Sequence, residues 1–133
     1  MRIFLPMLAI ALALPFSAQA QDTVRRMSRD ELQAFLPGTK VTHLNKGGSE
    51  RHWVNNPDGT LYANTNNKIF GSPTGTQSAG SAGKWEINEL GQYCIHIDWK
   101  RVDEKWCSYI GKGDDGSYYL GTSEERRKIE FAR

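Results

Sequence analysis

The 133-residue sequence predicts a mainly β fold, a small antiparallel β-barrel or curved sheet of about eight strands with one short N-terminal helix. Two observations lead to this prediction. After Thr39, apolar residues fall in short runs that alternate with polar residues, and turn residues separate these runs. Before Thr39, one segment has apolar residues at helical spacing. Many short strands separated by turns are typical of barrels and sandwiches.

The helix is predicted over residues 29–36. Ser28 and Glu31 have the spacing of a capping box, in which each side chain satisfies a backbone N–H of the other residue. Apolar residues follow at helical spacing, and Pro37-Gly38 ends the run. No later segment has these features, so we expect one helix.

The predicted strands follow the helix. They cover residues 40–44, 51–54, 60–63, 68–70, 84–88, 92–99, 105–110, 117–120 and 127–131. The segment 71–83 contains no large side chain, and we expect it to be a mobile surface loop. The alternative is that this loop is a flap beside a binding site.

Cys94 and Cys107 are the two cysteines, and we expect a disulfide between them; the alternatives are two free thiols or half of a metal site. If the two cysteines lie opposite each other in an antiparallel hairpin, the side chains of the hairpin divide into an apolar face and a polar face. One face is apolar apart from Glu104, and carries Tyr93, Ile95, Ile97, Trp99, Val102 and Trp106. The other face is polar, with Cys94, His96, Asp98, Asp103, Lys105 and Cys107. Because a slip by one residue would mix the two sets, the sorting supports this register.

The first twenty residues have the pattern of a secretory signal peptide. Arg2 precedes an apolar run, and small residues lead to an expected cleavage site after Ala20. The alternative is a membrane anchor, but the run is short for a bilayer. We therefore expect a periplasmic or secreted protein with a flexible lead-in over 21–27, a single β-rich domain over 28–133 and no transmembrane segment in the mature chain.

Charge and motifs narrow the function classes. The chain has 17 Lys and Arg against 15 Asp and Glu, a balance that argues against nucleic-acid binding. It contains no phosphate-binding loop, dinucleotide-binding glycine pattern or paired CxxC motif. We therefore predict no cofactor, no metal ligand and no catalytic residue.

The candidate ligand-binding residues are Trp53, His52 and Tyr62. Tryptophan and tyrosine often line sugar and small-molecule sites, and Trp53 stands beside a turn where we expect it to be exposed. The other three tryptophans are expected in the core: Trp85, Trp99 and Trp106. His96 and Asp98 share a strand face and could begin a metal site or an acid–base pair, although a solvated face paired with Lys105 is the preferred interpretation.

The order of several short motifs resembles the domain of unknown function 995 family, which consists of small exported proteobacterial proteins. In chain order the motifs are Leu36-Pro37-Gly38-Thr39, Asn56-Pro57-Asp58-Gly59-Thr60, Gly83-Lys84-Trp85, Tyr93-Cys94, Trp106-Cys107 and Tyr118-Tyr119-Leu120. The resemblance implies compartment and fold, and it implies no catalytic residue because that family has no established activity. The Gly-x-Trp pattern also resembles calycin-type barrels (lipocalins and avidins) in architecture alone.

These features predict an exported, non-enzymatic binding or envelope-associated protein. We expect a monomer that binds a small molecule, a glycan or an envelope protein. One alternative is an inhibitor of a cell-wall hydrolase such as lysozyme, because periplasmic lysozyme inhibitors are also small disulfide-bearing barrels. The other alternative is a small periplasmic hydrolase.

Overall fold

The computed structural model describes residues 23–44, 48–68 and 76–133, so the expected signal peptide at 1–20 lies outside it. The described residues form one helix, α1 (Arg29–Phe35), and ten strands. The strands are β1 (Val24–Arg26), β2 (Lys40–Leu44), β3 (Glu50–Val54), β4 (Thr60–Lys68), β5 (Thr76–Ile87), β6 (Tyr93–Trp99), β7 (Val102–Ser108), β8 (Ile110–Gly113), β9 (Tyr118–Leu120) and β10 (Arg127–Ala132). Within these residues no helix is long and apolar enough to cross a membrane.

The helix begins as its sequence predicts. The Ser28 hydroxyl accepts a hydrogen bond from the Glu31 backbone N–H, and the Glu31 carboxylate accepts one from the Ser28 N–H, both at 3.2 Å. The helix ends at Phe35, one residue earlier than expected, and Leu36 is its C-cap. The capping box is therefore confirmed.

All ten strands belong to one antiparallel sheet in the order β1-β8-β9-β10-β2-β3-β4-β5-β6-β7. The mainly β class and the curved sheet are confirmed, with ten strands instead of about eight. Strands β2 to β7 form a meander, β8 to β10 form a second one, and β10 joins the two by pairing with β2.

The sheet curls into a half-barrel. Strand β7 lies at one edge of the sheet, and β8 lies next to the strand at the other edge. In the sequence, a single residue, Tyr109, separates β7 from β8. Because one residue spans less than 4 Å, the two sides of the sheet meet there. We call this the closed end; it also carries the β5–β6 turn, where Gly91 packs against Arg29 of α1. The opposite end, which carries the β6–β7 turn, we call the open end.

The cysteine hairpin has the predicted register. Cys94 lies opposite Cys107, and the two form a disulfide with Cα atoms 4.0 Å apart. Ile95 lies opposite Trp106, and the apolar side chains of β6 face the inside of the half-barrel, where they are buried. The disulfide is thus on the convex outer face.

Two expectations about irregular segments are wrong. The loop expected over 71–83 is strand from Thr76 onward, where β5 pairs along the whole of β4; residues 71–75 lie outside the described residues. The lead-in expected over 21–27 contains β1, which pairs with β8, and Met27 after it is buried. Both strands depend on distant partners, because glycine, serine and arginine give little local signal for a strand.

The core lies on the concave side of the sheet, under α1. Its buried residues include Leu32, Leu36, Val41, Leu61, Ile95, Ile97, Ile110 and Ile129. Trp85 is buried, and Trp99 and Trp106 pack partly buried against this core, as predicted.

Candidate functional site

Three polar residues interrupt the concave face toward the open end. They are His43 on β2, Arg51 on β3 and Glu104 on β7. Strand alternation places them there, because each lies two residues from an inward apolar or aromatic side chain: Val41, Trp53 and Trp106. His43 and Arg51 are directly opposite each other in the β2–β3 register. We call these three residues the inner polar cluster.

Arg51 and Glu104 form an ion pair across the interior. The Arg51 Nε lies 2.7 Å from Glu104 Oε1, and the two side chains are only 13% and 16% exposed. The indole N–H groups of Trp99 and Trp106 donate to the same carboxylate, at 3.4 and 3.1 Å. The Arg51 guanidinium also lies over the Trp99 ring, 5.4 Å from its centre. The charge of Glu104 is therefore compensated from three sides.

His43 is buried without hydrogen bonds. Only 4% of the residue is exposed, and neither ring nitrogen has a hydrogen-bond partner within the part of the chain that the structure describes. Its ring contacts Trp53 and Trp106, with ring centres 6.4 and 5.7 Å away. Burial lowers the pKa of His43 below 6.5; Glu104 opposes this shift, and Arg127 and Arg51 add to it. The imidazole is therefore neutral at pH 7 and offers one donor and one acceptor.

The inner polar cluster leaves hydrogen-bonding groups unused. Besides the two His43 nitrogens, the buried Nη1 of Arg51 has no hydrogen-bond partner among the described residues. An unmatched buried donor or acceptor costs about 1–3 kcal/mol. The site can therefore bind a polar molecule that brings an acceptor to Arg51 and a donor–acceptor group to His43.

Trp53 is not exposed, and the prediction that it is exposed is wrong. The residue is 3% exposed and points into the half-barrel. Its indole N–H donates to Tyr93 Oη at 3.0 Å and faces Asn55 Oδ1 at 3.2 Å. The Tyr93 hydroxyl donates to Asn55, whose amide donates to Thr39 at 3.0 Å. Because this network satisfies the polar atom of Trp53, its large apolar surface can be buried without an unmatched donor.

His52, Tyr62 and Trp53 all line one groove of about 350 Å³ on the convex face. The Tyr62 side chain is largely exposed there, whereas Trp53 is buried and its side chain points into the half-barrel. His52 Nδ1 lies 3.2 Å from the Thr42 hydroxyl, and its Nε2 lies 3.5 Å from Glu50. The Tyr62 ring lies against Gly80, where any added Cβ would overlap it. The groove therefore brings the three predicted ligand-binding residues together, but only His52 and Tyr62 present their side chains on the convex face.

The convex face also gathers His96, Asp98 and Asp103. Their possible ligand atoms lie within 4.8 Å of one another, and His96 Nε2 is 3.2 Å from Asp98 Oδ1. Asp103 reaches them because it lies directly opposite Asp98 in the hairpin register. His96 is half-exposed and both aspartates are exposed, so this group is a solvated surface cluster. Lys105 stands opposite His96 in the hairpin register.

One comparison with known proteins gives a match. Residues 7–120 match the model of a family described as "Protein of unknown function (DUF995)". The chain belongs to this family. The match includes every strand from β1 to β9 and all of the inner polar cluster, and it ends before β10. No curated protein and no solved structure gives a significant match.

The inner polar cluster was missed at the sequence level, although one signal for it was present. Glu104 is the polar exception on an otherwise apolar hairpin face, and a carboxylate at an inward position needs a partner. The alternation of Val41 with His43 also places a histidine inward. The partner Arg51 could not be found, because β3 and β7 meet only when the sheet curls.

Proposed function

We propose that this member of the DUF995 family is an exported, non-enzymatic binding protein whose ligand occupies the inner polar cluster. The observation that carries the proposal is the pair of unmatched nitrogens of buried His43. The Arg51–Glu104 ion pair beside it provides a second polar group in the same interior. The proposal concerns where a ligand is held and which side chains contact it.

The residues of the inner polar cluster are poor choices for stability alone. Buried polar groups without partners destabilise a fold, and an apolar side chain of similar volume would avoid that cost. A buried ion pair is also often no more stabilising than well-packed apolar residues. Binding a polar ligand gives the unmatched His43 nitrogens and the Arg51–Glu104 pair a role that stability does not explain.

The free edge of β7 gives the ligand a route inward. Among the described residues, β7 pairs with β6 on one side and with no strand on the other. Its contacts with β2 and β3 are made by side chains: the Arg51–Glu104 pair, and Trp106 against His43. Side-chain contacts separate without breaking a backbone ladder, so movement of β7 away from β3 opens the inner polar cluster.

Export is supported by the signal-peptide pattern of residues 1–20 and by the Cys94–Cys107 disulfide, which fits an oxidising compartment. The test is mass spectrometry of the protein isolated from the native periplasm or medium. We expect an N-terminus at Gln21. A soluble cytosolic product that retains Met1 would overturn export, without affecting the proposed site.

Binding is tested by passing periplasmic extract and glycan fragments over the immobilised mature chain, residues 21–133. We expect a bound compound that is lost with His43→Leu and kept with His52→Leu, a matched control on the convex face. Recovery of a cell-wall hydrolase by both variants would instead support the inhibitor alternative. Turnover of a glycan fragment would support the hydrolase alternative.

A further inference from the structure

We propose that the ligand of the inner polar cluster is uncharged and rich in hydroxyl groups, as a sugar unit is. This inference rests on the proposed function, because it names the chemical class that the same site would accept. It follows from three properties of the cluster: its charge balance, its unused hydrogen-bonding groups and its aromatic surroundings.

The charge balance disfavours ions of either sign. A carboxylate placed against the free Nη1 of Arg51 would lie close to Glu104, whose own oxygen is 2.7 Å from the Arg51 Nε, and the two anions would repel. A cation would meet Arg51, and Arg127 also acts on the same interior. Desolvating an ion adds a further cost that a neutral ligand does not have.

The unused groups match hydroxyls. Arg51 Nη1 can only donate, whereas neutral His43 offers one donor and one acceptor. A hydroxyl group both donates and accepts, so adjacent hydroxyls on one molecule can serve both residues. His43 and Arg51 are cross-strand neighbours, whose Cβ atoms are typically about 5 Å apart, so one small ring can reach both.

Aromatic rings surround these polar groups. Trp106 contacts the His43 ring, and Trp99 lies under the Arg51 guanidinium. The indole N–H groups of both tryptophans bind Glu104, which fixes the two rings beside the unused polar groups. A sugar ring has apolar C–H faces and a rim of hydroxyls, which suits a site with flat apolar walls and few polar groups.

The experiment compares three probes that share one sugar ring and differ in the charge at C6: neutral glucose, cationic 6-amino-6-deoxyglucose and anionic glucuronate. A glycan array sorted by charge extends the comparison. Isothermal titration calorimetry is run on the mature chain at pH 7.5 and low salt. We expect neutral glycans to bind and their positively or negatively charged counterparts to bind at least about tenfold more weakly, a difference of one factor of ten in Kd.

The variants separate the ligand class from the site. His43→Leu is expected to weaken neutral-glycan binding about tenfold or more, and His52→Leu to leave it unchanged. Circular dichroism melting curves verify that both variants fold. If only charged glycans bind, and His43→Leu abolishes that binding, the proposed ligand class is wrong and the proposed function stands. Absence of any His43-dependent binding across the array and the extract would overturn both.

Discussion

Arg51 on β3 and Glu104 on β7 are separated by three strands of the sheet, yet Arg51 Nε lies 2.7 Å from Glu104 Oε1. The curl of the sheet brings them together, and their contact spans the interior of the half-barrel. Since no backbone ladder joins β7 to β3 among the described residues, side chains hold this part of the half-barrel closed.

Removing one partner of this pair should be costly. Glu104→Leu leaves the Arg51 charge buried, and we expect the free energy of unfolding in urea to fall by about 3–5 kcal/mol. The double variant Arg51→Met with Glu104→Leu should recover the part of that loss that is due to the buried charge, although the indole N–H groups of Trp99 and Trp106 still lack their acceptor. Arg25→Ala, which breaks the exposed pair with Glu31, is the control and should leave the melting temperature nearly unchanged. Equal instability of the single and double variants would contradict the argument.

Replacing His43 by leucine should stabilise the fold. The substitution removes two buried nitrogens without partners, so we expect a gain of about 1–3 kcal/mol in the free energy of unfolding. His52→Leu changes the same residue type on the convex face and should have little effect. A clear loss of stability in His43→Leu alone would mean that these nitrogens are satisfied in solution.

Stability should also fall in mild acid because of His43. Its pKa is 6.5 in the reference state and lower in the folded protein, where burial and the charges of Arg127 and Arg51 outweigh Glu104. Below 6.5 the unfolded chain therefore binds more protons, and the free energy of unfolding decreases as the pH falls. Urea denaturation at about pH 7.5 and about pH 5.5 should show this decrease, and His43→Leu should reduce it.

The pH range of that experiment lies above the range in which Glu31 titrates. Hydrogen bonds to Arg25 and Ser28 lower the pKa of Glu31 from 4.5 to about 2. The stability that this group contributes is present above 4.5 and is lost as the pH falls toward 2, below the His43 window. An unchanged pH dependence in His43→Leu would assign the effect to another group.

Gly83, the last residue of the loop expected over 71–83, tests whether this part of β5 is a strand. A Cβ at this position would lie 2.5 Å from the backbone oxygen of His96 and 2.9 Å from a methyl carbon of Leu61. Gly83→Ala should therefore destabilise the protein by about 1–3 kcal/mol, as overpacking does. Ala82→Ser, at the neighbouring exposed position, is the control. Hydrogen exchange should find protected amides within residues 80–87, and a tolerated Gly83→Ala with fast exchange would support a loop.

The disulfide should contribute to stability without shaping the site. Non-reducing peptide mapping should link Cys94 to Cys107, and replacing both by serine should cost about 2–4 kcal/mol. Because the sulfur atoms are on the convex face, His43-dependent binding should survive in the folded double variant. Loss of binding at a temperature where this variant is folded would show that the hairpin positions the inner polar cluster.

The sequence predicts the hairpin and the helix well because their determinants are local. In the hairpin, pairing Cys94 with Cys107 fixes the register, and the alternation of apolar and polar residues agrees with that register along both strands. In the helix, Ser28 and Glu31 are three residues apart and form their bonds without help from the rest of the fold. Such short-range constraints are visible in one sequence.

The errors concern residues whose surroundings come from distant segments. Trp53 stands beside a turn, but Tyr93 on β6 supplies a buried partner for its indole N–H. The small residues of β5 form a strand because all nine residues of β4 pair with them. The inner polar cluster requires β2, β3 and β7 to meet, which depends on how the whole sheet curls.

The central position of β10 determines when the fold can form. Among the described residues, strands β1, β8 and β9 are hydrogen-bonded to the β2–β7 meander through β10 alone, and β10 follows all of these strands in the sequence. The sheet therefore cannot be completed before β10 is present, and the β1–β8 pairing joins residues far apart in the sequence, which slows folding. A chain cut before Arg127 is expected to lose the backbone hydrogen bonds that join its two meanders, so limited proteolysis between β9 and β10 should unfold the whole sheet and not only its end.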